Sequence, residues 1–176
     1  GGDVDAALYY LARMVQAGED PKFIARRMVI FASEDIGLAG NGALGLATAC
    51  FQAVERVGMP ESGLILAHCT VALAKSKKSR ATTDAWYAAL DLARKSPNEP
   101  IPVWLRNAPT KLMKDIGYGA DYKYAHDYAG GFVEQEFLPE SLSGKKFYTP
   151  NLENATEAKI AERMQQMWGD KYSKNK

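Results

Sequence analysis

Helix punctuation near the N-terminus constrains this chain more than any other feature. Gly18 can adopt the left-handed conformation that ends a helix, Asp20 can accept hydrogen bonds from free helical N–H groups, and Pro21 suits the first helical position. One helix is therefore predicted to end at Gly18, and a second is predicted to run from Pro21 to about Ile36.

The second helix is apolar on most sides, yet it carries four charged residues: Arg26, Arg27, Glu34 and Asp35. Such a pattern predicts a buried helix with paired charges, in either a structural or an interface role. Carboxylates of neighbouring helices are the expected partners of the arginines, and a subunit interface or a phosphate is the alternative. Glu34 lies about 10 Å along the helix from Arg27, so we expect no pairing between them. Replacing Arg27 by Ala is then expected to cost on the order of a few kcal/mol, because a buried carboxylate would lose its partner.

The remaining pattern predicts an all-α fold of antiparallel helical hairpins over residues 1–96. Gly58 is expected to end a third helix and Pro60 to open a fourth, while a fifth helix has Trp86, Leu90 and Ala93 facing the core. The spacing of the helix-ending glycines also fits a helical repeat, but ordinary helix packing is favoured because too few units are present.

Residues 97–153 are predicted to form an irregular segment rich in proline and tyrosine. A short helix is expected within it, from Ala108 to Ile116. The stretch that follows has the alternating spacing of a strand, at Tyr122, Tyr124, His126 and Tyr128. A small β-hairpin is therefore an alternative to irregular structure here. A final helix is predicted over residues 154–168 and a frayed tail over residues 169–176, all within a single domain of residues 1–176.

Composition narrows the class of protein. With 176 residues, of which 47% are apolar and 24% charged, the chain is expected to be globular. The net charge of +1 gives no general attraction to nucleic acid. Cys50 and Cys69 lie within apolar helices and are read as small hydrophobic residues in a reducing compartment, so a cytoplasmic protein is predicted. No apolar run approaches the roughly 20 residues that span a bilayer, and no membrane contact is expected.

Catalytic, cofactor and metal sites are all predicted to be absent. A phosphate-binding Walker loop needs glycines, a lysine and a hydroxyl residue at fixed spacing, and Gly144-Lys145-Lys146 lacks the hydroxyl residue. His68 and His126 are isolated from other metal ligands. Packing in the core is favoured for His68. His126 beside Asp127 is either a general base or a histidine bonded to the backbone, and the second reading is favoured.

Two clusters of cations are the candidate DNA contacts. The first comprises Lys75, Lys77, Lys78 and Arg80, and the second comprises Arg106, Lys111 and Lys114. Neutralising phosphates with such residues releases counterions, and tyrosines of the irregular segment could stack on unpaired bases. Solvated surface charge is the alternative explanation for both clusters.

Several motifs resemble the C-terminal domain of the MgsA/RarA family of replication-associated AAA+ ATPases, which includes the Werner-helicase-interacting proteins. The similar stretches are residues 5–14, 18–21, 23–28, 32–38, 58–61, 66–67, 106–114, 124–128, 135–140 and 147–150. Gly1-Gly2-Asp3 looks like the middle of the Gly-Ser-Asp junction of this family. The resemblance therefore predicts that the chain is a piece of a longer protein whose ATPase and lid domains precede it.

The resemblance implies a domain, similar to the collar of clamp loaders, that joins subunits into a homotetramer. It further implies that the parent protein binds ATP and Mg upstream, acts at stalled forks and in recombination near the nucleoid, and has single-stranded-DNA-binding protein as a partner. Apolar helix faces too wide to be covered within one small domain support self-association independently. Two alternatives stay open: a monomeric helical adaptor that binds DNA or protein in a groove, and a small enzyme built around His126.

Overall fold

The computed structural model describes residues 1–171, and it confirms the predicted all-α class. No residue in that range belongs to a β-strand. The α-helices are α1 Val4–Gln16, α2 Pro21–Phe31, α3 Ala43–Val57, α4 Ser62–Ala74, α5 Ala81–Lys95, α6 Lys111–Asp115 and α7 Ala155–Trp168. Short 3-10 turns occupy Val103–Leu105, Ala125–Asp127, Ala129–Gly131, Glu140–Leu142 and Gly169–Lys171.

The predicted boundary between the first two helices is confirmed. Gly18 has a φ of +86°, and its N–H donates to the carbonyl of Val15 at 3.0 Å, which closes the end of α1. The carboxylate of Asp20 accepts from the backbone N–H of Lys22 at 2.9 Å, directly before Pro21. Local chemistry alone therefore accounts for this helix start and stop.

A π-helical turn, Ala32–Ile36, continues α2, and a 3-10 turn, Gly37–Gly40, follows it. Gly37 joins the two turns with a φ of +52°. A β-carbon at this position would lie 2.9 Å from the carbonyl oxygen of Ser79, which is closer than real contacts allow. Glycine is therefore required here both by the backbone conformation and by the approach of the chain before α5.

Residues 1–87 and 148–160 form one compact unit. Within it, α4 packs against α1, α2 and α3, and α2 also packs against α3. The apolar core lies among these four helices and the π-helical turn. It consists of Leu11, Ile24, Ala25, Ala32, Ile36, Ala43, Ala47, Cys50, Val54, Leu66, Cys69 and Leu73.

Residues 88–147 and 161–171 belong to a second compact unit. The indole N–H of Trp104 donates to the carbonyl of Glu136 at 3.0 Å. Phe132 and Phe137 meet the ring of Trp168 edge-on, with ring centroids 5.0 and 6.1 Å apart. Aromatic contacts and side-chain bonds to the backbone therefore organise a segment that has little regular structure. The single domain over residues 1–176 stays a prediction.

The strand-like alternation at Tyr122–Tyr128 does not produce a hairpin. Ala125–Asp127 forms a 3-10 turn instead, in which the N–H of Asp127 donates to the carbonyl of Tyr124 at 3.0 Å. A strand needs a partner to satisfy its backbone groups, and none of the described residues provides one.

Two further expectations differ from the structure. Helix α5 contains no fully buried residue, and Trp86 and Ala93 are exposed instead of facing the core. The predicted frayed tail begins with an ordered turn, Gly169–Lys171, in which the Lys171 ammonium lies 3.1 Å from the carboxylate of Glu136. Residues 172–176 lie outside the described residues.

We expect the Thr70→Val substitution to raise the free energy of unfolding by about 1 kcal/mol. The Thr70 hydroxyl is buried without a hydrogen-bond partner among residues 1–171, and valine replaces it with a methyl group of similar size. Thr48→Val is the control, because the Thr48 hydroxyl is exposed and donates to the Leu44 carbonyl at 2.8 Å. Urea unfolding measures both, and equal changes in the two variants would contradict the expectation.

Candidate functional site

The acidic pair of the π-helical turn binds Arg80. One guanidinium nitrogen of Arg80 lies 3.7 Å from Glu34 and 4.0 Å from Asp35, and its Nε lies 3.7 Å from Asp84. All four side chains are more than a third exposed, so each contact contributes little to stability by itself. The arrangement nevertheless shows that Arg80, predicted as a DNA contact, is surrounded by carboxylates.

The backbone of the same acidic pair holds the start of α5. The carbonyl of Asp35 accepts from the N–H of Ser79 at 2.8 Å, and the carbonyl of Glu34 accepts from the hydroxyl of Thr83 at 2.9 Å. These carbonyls would otherwise be unpaired at a helix end. Glu34 and Asp35 therefore join the π-helical turn to α5 through both backbone and side chains.

Arg26 and Arg27 are exposed, which corrects the expectation of a buried, paired helix. Helix α2 buries Ile24 and Ala25 instead. Arg26 lies 4.0 Å from Asp20, and Arg27 has no ion pair among residues 1–171. Because no buried carboxylate depends on Arg27, the large loss of stability expected on its removal has no basis in this structure.

The lysines of the first predicted cluster are all exposed in the segment after α4. Lys75 and Lys77 have no ion pair among the described residues. Lys78 donates to the carbonyl of Ser76 at 3.3 Å, and its ammonium lies 5.8 Å from the centre of the Phe31 ring. The three lysines are thus exposed within one short segment, and within this cluster Arg80 is the residue that carboxylates bind.

Arg106 differs from the other cations of the second cluster. Its guanidinium donates to the Ile101 carbonyl at 2.8 Å and to the Tyr118 hydroxyl at 3.0 Å, and it stacks 5.1 Å from the Tyr118 ring centre. These contacts assign Arg106 a structural role within its unit. Lys111 and Lys114 are exposed on α6.

Neither histidine is in the core. His68 is exposed on α4, which corrects the expectation that it is packed inside, and His126 is exposed with its ring 5.0 Å from that of Tyr124. Cys50 and Cys69 are buried free thiols, as predicted. A hydrogen bond shared with Cys50 and burial raise the pKa of the Cys69 thiol.

Residues 1–171 hold neither a cluster of metal ligands nor a helix that could span a membrane. No three histidine, cysteine or acidic residues in this range lie close enough to hold a metal ion. None of the helices there has both the length and the apolar character that crossing a bilayer demands.

Glu157 is a buried carboxylate that the sequence analysis did not single out. It is fully buried near the start of α7 and accepts from the Tyr148 hydroxyl at 3.1 Å and from the Asn151 N–H at 2.9 Å. Burial and the neighbouring carboxylate raise the pKa of Tyr148 to about 12. The signal that could have found it is the Asn154–Glu157 spacing of a capping box, in which Asn154 accepts from the N–H of Glu157 at 3.2 Å. These contacts make Glu157 structural.

An exposed apolar surface, which we call the Trp86 patch, consists of Ile30, Trp86 and Tyr87. The three side chains are 45%, 60% and 59% exposed and border one shallow depression between α2 and the start of α5. Large apolar side chains grouped in this way are typical of surfaces that meet another protein. The sequence pattern had assigned Trp86 to the core because periodicity marks an apolar face without showing what covers it.

Comparison with known proteins supports the resemblance seen in the sequence. The family described as MgsA AAA+ ATPase C terminal matches residues 1–168. The chain is 44% identical to an uncharacterized protein of Thermotoga maritima, over 98% of this chain and 28% of that protein. It is also 44% identical to replication-associated recombination protein A of Coxiella burnetii, over 94% of this chain and 38% of the relative.

A eukaryotic relative is ATPase WRNIP1 of Dictyostelium discoideum, which is 49% identical over 84% of this chain and 17% of its own length. The chain thus spans less than two fifths of each of these relatives. Since the family match extends over nearly all of its residues, the chain belongs to the MgsA AAA+ ATPase C-terminal family.

Proposed function

We propose that this chain is the self-association module of a replication-associated AAA+ ATPase and that four copies assemble through it. The observation that carries the proposal is the Trp86 patch, in which a tryptophan and a tyrosine are each more than half exposed. Burying such side chains against a second copy removes apolar surface from water, at about 25 cal/mol for each Å². Tryptophan and tyrosine are also the residues that most often dominate binding energy at interfaces.

The names of the relatives suggest the process that the module serves. Two of them are called replication-associated recombination protein A and ATPase WRNIP1. We infer that the protein containing this region hydrolyses ATP with Mg at a site outside it and acts in replication, recombination and repair. A cytoplasmic location near the nucleoid and single-stranded-DNA-binding protein as a partner belong to the same proposal.

Light scattering on the purified chain tests the assembly. At micromolar concentration we expect the mass of four copies of the 19.3-kDa chain. Tyr87→Ala is expected to weaken association by at least about tenfold, because an interface tyrosine is lost from the Trp86 patch. Tyr9→Ala is the matched control, since Tyr9 is as exposed as Tyr87 but lies on α1 outside the patch.

The results of this experiment answer two questions separately: whether the chain self-associates, and whether the Trp86 patch is the interface. A monomer at all micromolar concentrations contradicts self-association and supports the monomeric adaptor. A tetramer that neither substitution weakens contradicts the Trp86 patch as the interface but leaves self-association intact.

DNA contact is a second proposal for the exposed lysines that have no carboxylate partner among residues 1–171. Within the two predicted clusters, these are Lys75, Lys77, Lys78, Lys111 and Lys114. Arg80 is less suited to binding phosphate because carboxylates surround it. Arg106 is less suited because its guanidinium already donates to the Ile101 carbonyl and the Tyr118 hydroxyl. Binding through the lysines would weaken steeply as salt is added.

A further inference from the structure

A second surface, which we call the α1–α4 groove, lies between α1, α2 and α4 and is separate from the Trp86 patch. It is a cleft of about 540 Å³, within the usual size range of ligand sites. Its apolar lining comes from all three helices. The larger apolar side chains of this lining include Tyr10, Met14, Met28, Phe31 and Leu73.

The cations beside the groove distinguish it from a plain apolar cleft. Arg27 and Lys78 border it, and neither has a carboxylate partner among residues 1–171. The acidic residue at its edge, Asp3, already accepts from the N–H of Ala6 at 2.9 Å as the cap of α1. Two cations beside one carboxylate give the groove an excess of positive charge next to its apolar surface.

These features restrict the chemistry of an occupant. Apolar side chains are needed to displace water from the lining, and carboxylates are needed to match Arg27 and Lys78. A nucleic-acid strand carries a phosphate on every nucleotide and is matched by a longer row of cations than the two found here. Met14 and Met28 are flexible side chains that adjust to the shape of a bound peptide.

We propose that the α1–α4 groove binds a short acidic peptide segment of a partner protein, with apolar side chains in the cleft and carboxylates at Arg27 and Lys78. This proposal goes beyond self-association, because it uses a different surface and a different ligand. The two cations orient the segment, and the apolar lining supplies most of the binding energy.

Fluorescence anisotropy with a labelled peptide that alternates aspartate and phenylalanine tests the proposal. We expect the wild-type chain to bind this peptide and to bind poorly two variants of it, one with lysine for aspartate and one with serine for phenylalanine. Reversing both groove cations, Arg27→Glu with Lys78→Glu, is expected to weaken binding at least about tenfold. The control is Arg26→Glu with Lys77→Glu, which makes the same change of charge at neighbouring residues outside the groove.

A pair of tyrosines keeps the test independent of charge. Tyr10 and Tyr9 are equally exposed neighbours on α1, and only Tyr10 lines the groove. Tyr10→Ala is expected to weaken peptide binding several-fold, whereas Tyr9→Ala leaves it unchanged. Thermal unfolding of every variant checks that it is folded.

Three results of the binding experiment would overturn the proposal, and light scattering supplies a fourth. These are no binding of the acidic peptide to the wild-type chain, equal weakening by the groove variants and their controls, and displacement of the peptide by a single-stranded oligonucleotide at lower concentration than by unlabelled peptide. Light scattering on the same variants shows whether they still assemble, so a failure of the peptide proposal can be distinguished from a failure of the self-association proposal. If a groove variant dissociates the assembly but leaves peptide binding unchanged, the groove binds a second copy of the chain. That result would also overturn the peptide proposal.

Discussion

Leu66→Ala should lower the free energy of unfolding by about 3 kcal/mol, within a range of roughly 2 to 5 kcal/mol. Leu66 is 0% exposed at the centre of α4, where that helix packs against its three neighbours. The substitution removes buried apolar surface and leaves a cavity that rigid helices fill only in part. The midpoint of thermal unfolding should fall by on the order of 10 °C.

Leu64→Ala provides the matched control for this prediction. Leu64 lies on the same helix, two residues away, but is 75% exposed. Its loss should change the free energy of unfolding by less than about 0.5 kcal/mol. Circular dichroism during urea unfolding measures both variants at one protein concentration, since assembly adds to apparent stability. Comparable losses in the two variants would contradict the assignment of Leu66 to the core and Leu64 to the surface.

Glu136→Gln should destabilise the second compact unit by about 2 kcal/mol at neutral pH. Burial opposes ionisation of this carboxylate, but the Leu138 N–H, the Ser143 hydroxyl and the Lys171 ammonium outweigh it and lower the pKa of Glu136 from 4.5 to about 2. The hydrogen-bond distances to these donors are 3.0, 2.7 and 3.1 Å. A shift of this size corresponds to about 3 kcal/mol, which we reduce because the side chain is 28% exposed.

The lowered pKa of Glu136 makes the stability of the folded chain depend on pH. Because the pKa is lower in the folded chain, the stabilisation is complete above pH 4.5 and is lost as the pH falls toward about 2. Wild-type protein should therefore lose stability across this interval, while Glu136→Gln should lose less because it lacks the contribution at every pH. Tryptophan fluorescence during acid titration follows the change.

Glu134→Gln is the control for the acid titration. Glu134 is an exposed carboxylate two residues from Glu136, and it has no ion pair among residues 1–171. Its substitution should leave the acid transition of the wild-type protein unchanged. An identical acid midpoint for wild type and Glu136→Gln would refute the assigned role of Glu136.

Helix boundaries were predictable from the sequence because their causes are local. Gly18, Asp20 and Pro21 lie within four residues of one another, and each acts through its own backbone or side chain. The same holds for the Gly58 stop after α3, where Gly58 has a φ of +78°. Such signals require no knowledge of the rest of the fold.

The buried faces and the charge partners were not predictable in the same way. Helix α4 is apolar around most of its circumference, so its sequence alone cannot show that Leu66 is inside and Leu64 outside. Arg80 binds Glu34 and Asp35 across more than 40 positions of the chain, a contact that depends on packing. The apolar periodicity around Trp86 likewise indicated an apolar helix face, but it did not show whether other residues cover that face.

The π-helical turn makes the length of one short segment matter more than its composition. Each residue of a regular helix advances the chain by about 100° around the axis. Forcing Ala32–Ile36 into a regular α-helix without removing a residue would leave one residue too many in the turn and rotate the chain beyond it by about that angle, taking Ile36 out of the interior and moving Gly37 away from the Ser79 carbonyl. An engineer who regularised this turn for stability would therefore detach α5 from its anchor, whereas exchanging Ser33 for another polar residue would leave the register intact.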